Sequence, residues 1–252
     1  MSSASRPRKT AHISDSLHQQ LNLYTLAASA AGVSVLALAG ASEAKVVYTE
    51  TQQVTHIGSP LYIDLNHDGI RDFLLRTTFY AGSSYSEVGL SVSGCHNINN
   101  AVAGKHLSRS GYFYSAASAL RAGERIGPER QFPVRRPFLA MELFGKDVRS
   151  SQYSDVGPWA GKGKGKGKGV RNRYLGPKFV VHGKVHYGWA RLSVTLGHQR
   201  QFDDVSGTLT GYAYETVPGK PIVAGKTKGP DVITVQPDVA PGSLGRLALG
   251  RK

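Results

Sequence analysis

The sequence predicts an all-β fold, an antiparallel β-sandwich of the jelly-roll-like kind, and three observations lead to it. Short runs rich in β-branched and aromatic residues recur from position 46 to position 216. Several of them alternate apolar and polar residues with the period of two that marks a half-buried strand, as Val88, Leu90 and Val92 do. Glycine and proline turns separate the runs, and only residues 115–127 suggest a helical turn. This pattern is typical of antiparallel sheets packed face to face.

Residues 1–44 predict a secretory signal peptide with a long leader. Three basic residues lie near the start, and the apolar run "LNLYTLAASAAGVSVLALAG" follows at residues 21–40. The run ends in "ASEA", where Ser42 and Ala44 are the small residues that a signal peptidase requires, so a signal helix cleaved after Ala44 is expected. The alternative is an uncleaved N-terminal anchor, because the run is about as short as a membrane-spanning helix can be.

In the first part of the mature chain, strands are expected at residues 46–49, 62–65, 72–80, 87–94 and 138–144, with a loop over residues 95–111. The last third is more regular and contains "YLGPKFVV", "KVHYGWARLSV" and "GTLTGYAYET". The second and third of these runs are expected to pair as central strands, because they are rich in aromatic and β-branched residues and lack proline. His182 and Gly183 are expected to form a tight hairpin turn before them. Trp189 is then either a core residue or a platform for a ligand.

Two segments predict irregular structure. Four lysines alternate with glycine over residues 161–169, and glycine at every second position disfavours a strand, so a flexible, strongly basic loop is expected. Residues 229–252 contain three prolines and no periodicity, so a disordered tail is expected. The expected domain organisation is therefore a signal peptide over 1–44, a β-sandwich domain over 45–228 and a tail over 229–252.

The stretch "LYIDLNHDGIRDFLLR" contains the pattern D-x-N-x-D-G-x-x-D and predicts a structural Ca²⁺ site. Side-chain or carbonyl oxygens fall at positions 1, 3, 5, 7 and 9 of a calcium loop, and the residues that supply them are Asp64, Asn66, Asp68, Ile70 through its carbonyl, and Asp72. Gly69 stands at position 6, where the chain must turn sharply. Leu75 stands at position 12, where an EF-hand has glutamate, so an EF-hand is excluded. The alternative is an ordinary Asx-rich turn.

Composition limits the partners. The formal net charge of +14 favours anionic partners, so an anionic glycan or envelope polymer is expected, whereas specific nucleic-acid recognition is not. Membrane contact is expected only through an uncleaved N-terminal segment. Cys95 is the single cysteine, so an exported chain would have no internal disulfide and would depend on core burial, on metal, or on both.

The sequence contains none of three common catalytic motifs. The zincin motif H-E-x-x-H, the nucleophile elbow G-x-S-x-G and the glycosidase pattern E-x-D-x-E do not occur. The expected role is therefore non-enzymatic, adhesive or glycan-associated binding. The alternative is a secreted carbohydrate-active hydrolase whose carboxylates are brought together by the fold. Four aromatic residues could stack on sugars, although such residues more often belong to the core; they are Trp159, Trp189, Tyr212 and Tyr214.

Several segments carry resemblances. Four segments carry one resemblance: the leader "LYTLAASAAGVSVLALAGASEAKVVYT", the loop "YIDLNHDGIRDF", "YLGPKFVVHGKVHYGWARLSV" and "GTLTGYAYETVPGKPIVAG". Together they resemble a group of exported β-rich proteins from Acidobacteria-type bacteria. Residues 62–74 are also similar to the calcium loops of dockerins and of FG-GAP and VCBS type repeats, here in a single copy. The resemblance implies export to the periplasm, the cell surface or the exterior, and a β-rich fold. It implies no activity.

Overall fold

The part of the chain that the structure describes contains β-strands and their connections and no helix. This computed structural model describes residues 45–83, 85–95, 97, 99–109, 112–133, 139–147, 152–161, 168–198 and 203–235. The all-β prediction is confirmed for these residues. No helix among them is long and apolar enough to cross a membrane. The predicted signal helix lies outside the described residues.

The strands in chain order are β1 (Val46–Thr55), β2 (Leu61–Ile63), β3 (Phe73–Ala81), β4 (Tyr85–Gly94), β5 (Ala101–Val102), β6 (Gly104–Arg109), β7 (Tyr112–Ala117), β8 (Arg125–Ile126), β9 (Leu139–Asp147), β10 (Gln152–Val156), β11 (Gly169–Leu175), β12 (Pro177–Val181), β13 (Lys184–His198), β14 (Asp203–Glu215), β15 (Ile222–Val223) and β16 (Val232–Val235). The first sheet has the order β16-β1-β14-β13-β12-β5, and β11 also pairs with β13. The second sheet has the order β2-β3-β4-β9-β7-β6, and β10 also pairs with β9. Strands β8 and β15 form a small third sheet. Most pairs are antiparallel, but β1–β16 and β7–β9 are parallel.

Strands β13 and β14 form the centre of the first sheet, as predicted. They are 15 and 13 residues long and pair antiparallel from Gly188↔Tyr214 to His198↔Asp203. The predicted hairpin before β13 is also confirmed. His182 and Gly183 have φ of 48° and 77°, and the positive values at both central residues are those that a two-residue type I′ turn requires.

The first two sheets face each other across an apolar interior. A small void between them is lined by side chains from both, which are Ile63, Leu65, Phe73, Val92, Val102, Leu175, Pro177 and Ala190. Ala190 belongs to β13, and its small, buried side chain permits a close approach of the second sheet on this face. We call the face of the first sheet that includes Ala190 the inner face.

Part of the outer face of the first sheet is also buried, because an apolar cluster covers it around Trp189. Trp189 lies at its centre with 0% of its surface exposed. Its ring packs at a centroid distance of 5.6 Å from Tyr48 and edge-on at 5.4 Å from Tyr174. Ile126 of β8 and Ile222 of β15 close the cluster from the far side. Trp189 is therefore a core residue, and the ligand-platform interpretation of this side chain is wrong.

Three expectations about secondary structure are wrong in part. Residues 115–127 form no helical turn; they contain the end of β7, a turn with Gly123 at φ 86°, and β8. The loop expected over 95–111 contains β5 and β6. The tail expected from residue 229 first forms β16, which pairs with β1, whereas residues 236–252 lie outside the described residues.

The basic loop is described only at its ends. Gly169, expected within the flexible loop, instead begins β11 and donates its N–H to the carbonyl of Ala160 at 2.9 Å. The two ends of the connection therefore meet at the edge of the first sheet. Residues 162–167 lie outside the described residues, so the predicted flexibility of the loop stays a prediction.

Candidate metal centre

The candidate calcium loop joins β2 to β3. The N–H of Asp72 donates to the carbonyl of Ile63 at 2.8 Å and closes the loop at its base. Gly69 has φ of 84°, a conformation that favours glycine, and it provides the sharp turn expected at the sixth position. His67 also has a positive φ, of 61°. The backbone thus turns where the sequence pattern indicates.

The side chain of Asp64 accepts two backbone hydrogen bonds inside the loop. Its Oδ1 accepts from the N–H of His67 and its Oδ2 from the N–H of Gly69, each at 2.8 Å. This is the arrangement of an Asx-type turn, in which a carboxylate satisfies the backbone of its own loop. A carboxylate oxygen has two lone pairs, so each oxygen can accept a further partner.

Asp68 and Asn66 interact with each other on the outer side of the loop. Asp68 accepts from the N–H of Ile70 at 2.8 Å through Oδ1 and from the Nδ2 of Asn66 at 2.9 Å through Oδ2. The other end of the Asn66 amide is different, because its Oδ1 is buried and accepts no hydrogen bond in the structure. A buried carbonyl oxygen without a partner is unfavourable, and a bound cation would satisfy it.

Asp72 is the most buried acid of the loop, with only 6% of its surface exposed. Its Oδ2 accepts from the N–H of Leu65 at 2.8 Å. Burial raises the pKa of Asp72 to about 7, against the lowering effect of the Leu65 hydrogen bond, and the nearby carboxylates of Asp64 and Asp68 raise it further. No described Lys, Arg or His forms an ion pair with Asp72.

The loop also contacts the inner face of the first sheet. The Nε2 of His67 lies 2.7 Å from the Oγ1 of Thr49 on β1, and its ring lies 5.7 Å from that of Tyr212 on β14. Burial, and then the charges of the loop acids, raise the pKa of Tyr214 on β14 to about 12. The loop therefore contacts the first sheet through His67, close to Tyr212, and its carboxylates are near enough to act on Tyr214.

Asn100 connects the base of the loop to the first sheet. It is 4% exposed, and its Nδ2 donates to the carbonyls of Asp72 and Cys95, both at 3.3 Å. Its Oδ1 accepts from the N–H of Val180 on β12 at 3.1 Å. Sequence reasoning missed both His67 and Asn100, since their partners lie far away in the chain and no local pattern marks them.

Replacing Asn100 with leucine is expected to lower the free energy of unfolding by about 1 to 3 kcal/mol, because it leaves the half-buried Val180 N–H without its partner and removes one of the two donors to the Asp72 carbonyl, the other being the Cys95 N–H. Urea unfolding of the purified protein measures the change. The matched control is Asn99→Leu, at an exposed neighbouring amide, for which a change within about 0.5 kcal/mol is expected. Equal stabilities of the two variants would contradict the bridging role of Asn100.

The structure gathers all five predicted ligands in one short loop, but it does not form a complete ligand cluster. No group of three or more His, Cys, Asp or Glu side chains that could hold a metal ion occurs among the described residues. The Asx-turn alternative accounts for the hydrogen bonds of Asp64 and Asp68. It does not account for the buried Asn66 oxygen or for the buried Asp72 carboxylate.

Several polar and aromatic residues outside the loop are buried or structural. The Nδ1 of His186 lies 2.9 Å from the carbonyl of Glu215, and burial lowers the pKa of His186, so the ring is held neutral in the sheet. Cys95 is a free thiol whose pKa burial raises, which favours the unreactive protonated form. The four aromatic residues considered for sugar stacking are 0 to 8% exposed. None of the four is available as a platform.

Comparison with known proteins adds no assignment to this loop. The fold and the loop geometry are those of a β-domain with an acidic connection between strands. The chain matches no protein-family model, no curated protein and no solved structure.

Proposed function

We propose that the chain is an exported, non-enzymatic β-sandwich protein, jelly-roll-like and stabilised by Ca²⁺, that acts in the periplasm, at the cell surface or outside the cell. Its role is adhesive or glycan-associated binding, and its partner is an anionic glycan or an envelope polymer. Calcium would be held by Asp64, Asn66, Asp68, the carbonyl of Ile70 and Asp72. In this position the ion would have a structural role, because the loop contacts both sheets.

The observation that carries the calcium proposal is the burial of the Asp72 carboxylate beside two further carboxylates, without a cationic partner among the described residues. Burying a charge is strongly unfavourable unless a counter-charge or a metal offsets it. Calcium prefers hard oxygen ligands of the kind that this loop presents at alternate positions. The unpartnered Oδ1 of Asn66 supports the same conclusion.

Three of the carboxylates outside the loop form ion pairs, and this favours a binding role over hydrolysis. Glu124 pairs with Arg130 at 2.8 Å, and Glu215, which is 2% exposed, pairs with Lys220 at 3.2 Å. Asp231 pairs with Lys226. A glycosidase requires two carboxyl groups that face the same cleft, and these three acids are instead engaged with neighbouring cations.

Export is supported by composition and by the position of the first strand. The expected cleavage site follows Ala44, and β1 begins at Val46. The single cysteine is compatible with an oxidising compartment because it cannot form an internal disulfide. The charge of +14 favours association with the anionic polymers of an envelope.

Calcium is expected to raise the thermal stability of the protein. At free calcium a hundredfold above Kd, the stabilisation is about 2.7 kcal/mol, which corresponds to roughly 5 to 10 °C in Tm for a chain of this size. Differential scanning fluorimetry with calcium and with a chelator measures the shift. Because Tyr212 and Tyr214 lie beside the loop, tyrosine excitation should also sensitise the luminescence of bound Tb³⁺, which takes the same oxygen ligands.

The variant Asp64→Asn should reduce both the calcium-dependent shift and the Tb³⁺ signal, because it removes one of three charged ligands. A matched control is Asp231→Asn, which removes a carboxylate outside the loop. If wild-type protein and Asp64→Asn respond equally to calcium, the ion does not bind in this loop.

A further inference from the structure

A groove of about 500 Å³ lies on the surface where the start of β6 meets the segment that follows β8. This volume is within the range of small-ligand pockets. Its floor includes the small residues Ala103 and Gly104. Six polar or charged side chains line it, which are Lys105, Ser118, Arg125, Glu129, Arg130 and Gln131.

Backbone hydrogen bonds fix the walls of this groove. Gly104 donates to the carbonyl of Gln131 at 3.0 Å, and Ser118 donates to the carbonyl of Ala103 at 2.9 Å. Behind the groove, Ile126 is fully buried in the apolar cluster around Trp189. The groove is therefore formed before any ligand arrives, which limits the entropy lost on binding.

The positive charges of the groove are only partly neutralised. The guanidinium of Arg130 donates through Nε to the carbonyl of Arg125 and through Nη2 to Glu124 Oε2 at 2.8 Å. Guanidinium has five N–H donors, so this arginine is held in one orientation while three donors remain. Lys105 is exposed and forms no ion pair with a described side chain.

Glu129, the acid that lines the groove beside these cations, forms only a weak ion pair with Arg125. Arg125 and Glu129 are separated by 3.6 Å, and their side chains are 67% and 47% exposed. An exposed pair of this kind contributes little to stability. A ligand carboxylate can therefore replace Glu129 as the partner of Arg125 without disturbing the fold.

We propose that this groove binds a saccharide that carries carboxylate groups, a hexuronate-containing glycan. Lys105, Arg125 and the free donors of Arg130 would bind the sugar carboxylates, because arginine recognises carboxylates through paired hydrogen bonds. Ser118 and Gln131 would bind sugar hydroxyls, and the small floor would receive the C–H face of a ring. This inference rests on the proposed function and gives its partner a chemical class and a place.

The test uses the full chain and two probes, a hyaluronan tetrasaccharide, which carries glucuronate, and chitotetraose, which is neutral. Isothermal titration calorimetry at low and moderate salt measures Kd. Lys105→Gln and Arg125→Gln should each weaken binding of the hyaluronan tetrasaccharide about tenfold, as expected for the loss of one charge-assisted contact. Glu129→Gln should strengthen it, because an opposing charge is removed. Arg130 is left unchanged, since it also holds Glu124.

Lys184→Gln is the matched control, because it removes an exposed lysine at the β12–β13 hairpin. Its Kd at moderate salt should stay within about twofold of the wild-type value, because Lys184 does not line the groove and its exposed charge is screened. Equal weakening by Lys184→Gln would show non-specific attraction and overturn the proposal. Equal affinity of the wild-type protein for chitotetraose would overturn its anionic selectivity.

The outcomes separate this inference from the function on which it rests. If the wild-type protein binds the hyaluronan tetrasaccharide and both groove variants bind it equally well, the groove is not the site, although glycan binding stands. If the wild-type protein binds neither probe, the groove proposal and the glycan-binding part of the function both fail. The calcium part is decided independently by the thermal and Tb³⁺ measurements.

Discussion

Replacing Trp189 with alanine is expected to lower the free energy of unfolding by about 3 to 5 kcal/mol, the usual range for truncating a large buried aromatic residue. Trp189 is fully buried and packs against Tyr48 and Tyr174, so its removal leaves a cavity that β13 cannot close. The loss also includes the favourable edge-on contact of two aromatic rings. Urea or guanidinium unfolding measures the change.

A control on the same strand is Val185→Ala, because Val185 is 36% exposed. Its change should be much smaller than that of Trp189→Ala. A loss below about 1 kcal/mol for Trp189→Ala would mean that the apolar cluster on the outer face of the first sheet contributes little to stability. Such a result would contradict the assignment of Trp189 to the core.

The second large effect is expected from Asp72→Asn in the absence of calcium. The folded protein holds the proton of Asp72 more tightly than the unfolded chain does, because its pKa rises from 3.8 to about 7. Stability from this group is therefore greatest at low pH, falls as pH rises from about 4 to 7, and stays low above pH 7. A shift of this size corresponds to at most about 4 kcal/mol.

Asparagine removes the charge and keeps an oxygen that can accept from the Leu65 N–H. Calcium-free Asp72→Asn is therefore expected to be more stable than the wild-type protein at pH 8 by up to about 4 kcal/mol, and to show little difference at pH 4. With calcium the order should reverse or the gap should close, because the wild-type carboxylate then has its counter-charge. Chemical unfolding at both pH values, with and without chelator, checks this.

Asp68→Asn is the control for this comparison, since Asp68 is exposed and its charge is solvated. It should not stabilise the calcium-free protein at pH 8 to the same extent. A calcium-free Asp72→Asn protein that is less stable than the wild type at pH 8 would show that the Asp72 carboxylate is not strained by burial. The main support for a cation in the loop would then be lost.

The central strands could be predicted from the sequence because their information is local. The runs that form β13 and β14 are long and aromatic, and the His182–Gly183 turn fixes how β12 meets β13. The turn at Gly69 could be predicted for the same reason, since the whole D-x-N-x-D-G-x-x-D pattern lies within nine residues, whereas calcium binding there stays a prediction. Local sequence is sufficient to predict a turn or a strand pair whose residues are close together in the chain.

The wrong expectations concern segments whose structure depends on distant residues. Residues 115–127 contain alanine, leucine and arginine, which favour helix, yet Leu120 pairs with Tyr174 and Ile126 pairs with Ile222. These tertiary contacts override a weak local preference. Strand β16 follows a proline-rich pattern and exists because β1 offers a free edge. The burial of Asn100 and Trp189 likewise could not be predicted from adjacent residues, because the groups that cover them come from distant parts of the chain.

The pairing of β1 with late strands has a consequence for folding kinetics. The Lys45 N–H donates to Thr216 Oγ1 across 171 positions, and β1 takes both of its neighbours, β14 and β16, from the last fifth of the chain. Chains dominated by such non-local pairs fold slowly, because the entropy of closing long loops must be lost before the contacts form. Under the proposed export, the first sheet could not close until the C-terminal strands that pair with β1 had also crossed the membrane.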